Sequence, residues 1–150
     1  MGRSLIAGVR DRWSERGHFA RFRDWVAFSY DRVLGRWKRL PLPGRGRVTG
    51  VRFKGIGRPV WVRLGTTDMQ QAAEIYFGGQ YDRAVDGTLG PMRTVFDLGA
   101  NAGYSVALWR DRFPGCRVVA VEPDRANMVI CRRNSGGGIL RRRTGRKHRG

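Results

Sequence analysis

The chain has 150 residues, the length of one ordinary domain, and its 30 Lys/Arg against 12 Asp/Glu give a formal net charge of +18. Two cysteines and two histidines are too few for a disulfide framework or for a metal centre of clustered His and Cys, so Cys116 and Cys131 are expected as buried free thiols. The apolar run at 5–9 is short for a secretory core and no stretch reaches membrane-spanning length, which together predict a soluble, cytoplasmic protein.

The charge is uneven. Residues 1–60 hold 15 Lys/Arg against 4 Asp/Glu, a net +11; residues 61–134 hold 9 against 8, a net +1; residues 135–150 hold 6 against none, a net +6. Any partner attracted by charge is therefore expected at the ends of the chain.

Taken in order, residues 1–40 read as a basic amphipathic helical segment. Leu5, Val9 and Trp13, then Phe22, Trp25, Val26, Val33 and Trp37, recur at helical intervals, and Gly17 is placed to divide two helices. Aromatics at this spacing are expected to form a packing stripe. The rival reading joins Trp13, Trp25 and Trp37 to Arg10, Arg12, Arg16, Arg21, Arg23, Arg36, Lys38 and Arg39 as a face for an anionic membrane surface or nucleic acid. Pro41, Pro43 and Gly44 end the helical pattern and mark a linker over 41–47. "VTGVRFKG" and "PVWVRLG" alternate apolar and polar residues and predict a β-hairpin. In "TTDMQQAAEIYFGG", Thr67 and Gln70 stand in the capping-box relation and Gly78 is placed to close a helix over 68–77. After a glycine- and aspartate-marked loop, residues 94–96 form a β-prone run and 104–113 a helix. "RVVAVE" follows as a buried strand and "DRANMVICRRN" as a second helix. Strand, helix and strand over 94–122 have the length of a βαβ crossover, so 48–134 is expected as one α/β domain. The tail at 135–150, "SGGGILRRRTGRKHRG", is basic, of low complexity and not expected to pack.

The chemistry concentrates in "TVFDLGANAGYSVALW", 94–109. Glycines between a strand and a helix can serve a plain turn. Here Gly99 and Gly103 also let the backbone approach a ligand, and Asp97 at the strand end can accept a hydrogen bond from a cationic or hydroxyl-bearing group. Glu122, nineteen residues after Gly103 and closing the next strand, is placed to accept from ribose hydroxyls. A dinucleotide would prefer G-x-G-x-x-G with its pyrophosphate on the helix N-terminus. Asn101 in place of the middle glycine, and the charge of Asp97, suit a cofactor with a cationic centre better.

These segments, with "VVAVEPDRANM" after the loop and "RPVWVRLGTTDMQQAAEIYFGGQYD" before it, resemble the class I S-adenosylmethionine-dependent methyltransferases, most closely the FkbM family, over about 58–134. The resemblance implies an α/β, Rossmann-like fold, here incomplete: the N-terminal βαβ portion of a doubly wound sheet, preceded by the basic helical segment and the hairpin. It implies that Asp97, Gly99, Asn101 and Gly103 line the methionine and ribose part of S-adenosylmethionine and that Glu122 holds the ribose hydroxyls. Tyr104 and Tyr81 are further candidates, each equally suited to packing. The implied activity is methyl transfer to an oxygen of a sugar, polyketide or other small acceptor; no residue stands out as a general base, and no metal is implied. Because the family pattern stops after "ICRRN", a truncated chain with impaired turnover is expected. The alternative function is the basic binding module without catalysis.

Overall fold

The structure, a computed structural model, describes residues 14–81, 90, 92–136 and 140–141. It is a small α/β protein with helices and two small sheets. The chain divides into two compact units, 1–70 and 71–150.

In the first unit a 3-10 turn at Arg16–His18 surrounds Gly17, and α1 follows at Phe22–Arg36. The segment before residue 14, including the first of the two expected helices, lies outside the described residues. β1 (Val48–Val51) and β2 (Val60–Arg63) pair antiparallel as the predicted hairpin, with Val48 opposite Arg63 and Val51 opposite Val60. Period-two alternation places Val60 and Val62 in the core. Phe19 bridges to Phe53 and packs its ring against Phe28 at 5.1 Å and Phe53 at 5.3 Å. The hairpin therefore shares its core with the helical segment, and the chain divides at 70/71 where the sequence reading groups 48–134.

The segment read as a linker is held within this unit. Arg45 Nη2 donates to Leu34 O at 2.7 Å and to Trp37 O at 3.2 Å, satisfying carbonyls that the end of α1 leaves open. Tyr30 Oη donates to Pro43 O at 2.7 Å, and Gly46 N to Leu64 O at 2.7 Å.

α2 (Asp68–Tyr76) crosses the boundary between the units. At its start it is Thr66 that takes the capping role expected of Thr67: its hydroxyl accepts from Asp68 N at 3.1 Å and donates to Arg63 O at 2.8 Å. At its end Gly78 N donates to Ala73 O at 3.0 Å, and a Cβ at Gly78 would come 2.6 Å from Glu74 O, so glycine is required where the helix closes.

In the second unit, β3 (Thr94–Leu98), β4 (Arg117–Val121) and β5 (Leu140–Arg141) form a parallel sheet in that order. α3 (Tyr104–Arg112) connects the first pair and α4 (Arg125–Ser135) lies between β4 and β5. Register aligns Phe96 with Val119 and Leu98 with Val121. One face of the sheet packs Val95, Val118 and Ala120 against Val106, Trp109 and Cys131 of the two helices. On the other face Phe96 and Leu98 are 69% and 77% exposed, so β3 is not the doubly buried strand of a sheet with helices on both sides.

Two expectations change here. Leu140 and Arg141 pair with Ala120 and Val121, so part of the tail returns to the sheet. The free backbone groups along the outer edge of β4 take a partner through main-chain hydrogen bonds, which side-chain composition does not forbid. Cys116 is only half-buried, at the end of a turn, whereas Cys131 is fully buried.

Candidate functional site

β3 delivers Asp97 and Leu98 to the carboxyl end of the sheet, where the chain turns into α3 through residues 99–103. Three residues of this turn occupy left-handed backbone: Gly99 at φ 85°, Asn101 at φ 49° and Gly103 at φ 80°. Asparagine tolerates that conformation better than most residues with a Cβ, which accounts for its place between two glycines.

The turn is fastened from several sides. Gly99 N and Ala100 N donate to Val121 O at 2.9 and 3.1 Å. Asn101 N donates to Glu122 Oε2 at 2.8 Å, while Glu122 Oε1 accepts from Asp124 N at 2.8 Å. Asn101 Nδ2 donates to Gln71 Oε1 at 2.9 Å, and Asn134 Nδ2, buried in α4, donates to Ala102 O at 2.8 Å. Asp124 caps α4 by accepting from Asn127 N at 2.8 Å. Buried main-chain groups need such partners, and here they hold the turn in one shape.

In front of the turn lies a cavity of about 300 Å³. Asp97, Gly99, Asn101, Tyr104 and Tyr81, all candidates from sequence, line it. Gly103 and Glu122 do not. Gly103 faces α4: a Cβ there would sit 2.7 Å from Cys131 Sγ and 2.9 Å from its Cα, so this glycine serves close helix packing. Glu122, buried, uses one lone pair of each carboxylate oxygen on the amides of Asn101 and Asp124, and so clamps the turn from the side of β4. Tyr81 combines both readings given for it, lining the cavity while its ring meets Trp109 edge-on at 5.0 Å.

Gln71, Glu74, Gln80 and Ser105 also line the cavity, and sequence reasoning missed them. Ser105 Oγ donates to Asp97 Oδ2 at 2.6 Å. Tyr76 Oη donates to Tyr104 O at 2.8 Å, tying α2 to the first turn of α3. Ser105, following the glycine turn directly, was the one of these with a local signal. Gln71 and Glu74 arrive from α2, about thirty residues earlier, and Gln80 from the turn beyond it, and only folding brings them to the site.

Electrostatically the cavity is acidic. Burial pushes the Asp97 carboxyl above its usual range, and the Ser105 hydrogen bond offsets part of that rise. Tyr81 is raised too, first by burial and then by the charge of Asp97. Behind the turn, burial and the nearby Asp97 and Glu122 push the Cys131 thiol up to about 11, so it stays neutral and unreactive near pH 7. A half-buried carboxylate supported by one neutral hydroxyl favours a ligand that brings a cation or hydrogen-bond donors. Comparison of the chain with known protein families, curated proteins and solved structures gives no match.

Proposed function

We propose that the second unit binds S-adenosylmethionine and that the chain is a methyltransferase of the Rossmann-like, FkbM-like class. The observation that carries this reading is Asp97: a carboxylate at the carboxyl end of a parallel strand, beside a glycine turn, lining a cavity to which no Lys or Arg contributes among the described residues. The two consecutive parallel crossovers, β3-α3-β4 and β4-α4-β5, and the placing of Glu122 at the end of β4 agree with the N-terminal part of such a sheet.

The residues fit the cofactor best at its charged end. Asp97 Oδ2 accepts from Ser105, and the carboxylate, which lines the cavity, can accept further from an ammonium group or lie beside a sulfonium centre. Gly99 lines the cavity, and a Cβ there would meet no atom within 4 Å, so the turn leaves room for a ligand against its backbone. Tyr81, Tyr104 and Asn101 provide walls with polar tips. At Glu122 the fit is indirect: its buried carboxylate fixes Asn101 and Asp124 and so supports the turn that would hold the ribose. When bound, the cofactor supplies an electrophilic methyl group. The protein contributes position, since in-line displacement gains much of its rate from holding donor and acceptor at contact distance. The acceptor class we assign is an oxygen of a small molecule or sugar.

Isothermal titration with S-adenosylmethionine tests the reading. Binding that Gly99→Val weakens at least tenfold supports it, because a branched side chain both strains the left-handed backbone and fills the space over the turn. Absence of binding to well-folded protein removes it.

A further inference from the structure

The two faces of α1 are inverted relative to an ordinary surface helix. Its buried side carries Asp24, Phe28, Asp31 and Leu34, with Asp31 Oδ1 accepting from Gly65 N at 2.6 Å. On the solvent side stand Phe22, Val26, Val33 and, at the C-cap, Trp37, between 43% and 54% exposed. At about 100° per residue these four fall within an arc of roughly 60°, opposite the buried set. Leu40, also exposed, continues the apolar surface past the helix end. The expected packing stripe is thus turned outward, because the inner positions are held by the polar contact to Gly65 and by Phe28 in the aromatic core.

We infer that this stripe docks the protein on an anionic lipid surface. Arg36 borders it, and Lys38 and Arg39 follow it, all exposed. Arg23 and Arg32 are excluded from the set because they pair with Asp24 at 4.0 Å and with Glu15 at 2.8 Å. Beside Val26 a cavity of about 410 Å³, bordered by Arg23, Ala27, Tyr30, Pro43 and Leu64, offers an aliphatic recess. Residues 14–60 hold 12 Lys/Arg against 3 Asp/Glu, a net +9, so the unit combines an apolar stripe with a field attractive to acidic headgroups. This is the composition of a helix lying in a membrane interface, with aromatics at both ends of the stripe. A nucleic acid would satisfy the arginines but offers no apolar phase for Phe22, Val26, Val33 and Trp37, so the lipid surface fits the whole pattern. Among the described residues no helix is long and apolar enough to cross a membrane, and docking on the surface needs none.

Co-sedimentation of the full chain with vesicles tests this, and it is independent of cofactor binding in the second unit. Vesicles of phosphatidylcholine with three-tenths phosphatidylserine are expected to bind the protein, and pure phosphatidylcholine to bind it far more weakly. Val26→Ser and Trp37→Ser, both at exposed positions, should each reduce binding about tenfold with unchanged far-UV circular dichroism. Arg36→Gln and Lys38→Gln should each reduce it about fivefold at low salt, and less at high salt. No binding overturns the inference, as does salt-sensitive binding that Val26→Ser and Trp37→Ser leave intact, the behaviour of charge alone or of a nucleic-acid binder. A lipid-free dimer that those two variants make monomeric would assign the stripe to a second copy of the chain and equally overturn it.

Discussion

Two acids, the buried Asp68 of the first unit and the half-buried Asp97 of the second, differ in the company they keep. In the first, Asp68 is met by the Arg63 guanidinium at 2.7 and 2.8 Å and by the Arg63 amide at 2.9 Å. In the second, Asp97 has a serine hydroxyl and a cavity. The first carboxylate is saturated and fixes where β2 hands over to α2. The second is held in place but left with capacity for a ligand. Between these two, only the acid that lines a cavity is placed to meet a ligand.

The largest effect that could break this contrast is at Asp68. Asp68→Ala strands a mostly buried guanidinium and an amide, and should cost about 3–5 kcal/mol in urea unfolding. A loss below about 1 kcal/mol would mean that the pair is no scaffold. Next is Asn134, which supports the turn from behind. Asn134→Ala leaves the buried Ala102 carbonyl without its donor, an expected loss of about 1–3 kcal/mol accompanied by weaker S-adenosylmethionine binding. The smallest effect has the opposite sign. Because burial raises the Asp97 pKa above its unfolded value, ionisation of this group opposes folding: its favourable contribution is full below about pH 3.8 and is lost as pH rises through the raised pKa. Asp97→Asn should therefore raise the thermal midpoint at pH 7, and that advantage should vanish as the pH falls below about 3.8. A midpoint lowered at neutral pH would place Asp97 with Asp68 among the structural acids.

How much of this was legible in the sequence depended on how local each feature is. The order of strand, glycine turn, helix, strand and helix over 94–135 follows from apolar periodicity and turn residues, and these elements occur within a residue or two of their expected bounds. The fastening of the turn was not legible, because Gln71 and Asn134 reach it across thirty residues in either direction. Spacing marks Glu122 as a partner for ribose, yet its contacts are the amides of Asn101 and Asp124, which no spacing rule distinguishes from a ligand's hydroxyls. α1 shows a different limit. Periodicity finds an apolar stripe but does not say which face turns inward, and at Asp31 a hydrogen bond to the hairpin exit takes the inner position. β5 was missed because its pairing is made by the main chain of a glycine- and arginine-rich segment whose composition reads as unstructured.

If the carboxylate of Asp97 receives S-adenosylmethionine, its loss must weaken the cofactor without unfolding the protein. The decisive measurement is titration of that cofactor into the wild-type chain and into Asp97→Asn, each with its thermal midpoint recorded. Saturable binding to the wild type is expected, with at least tenfold weaker binding to a variant that is no less stable. Equal affinity for the two proteins, or none for a folded wild type, would contradict it.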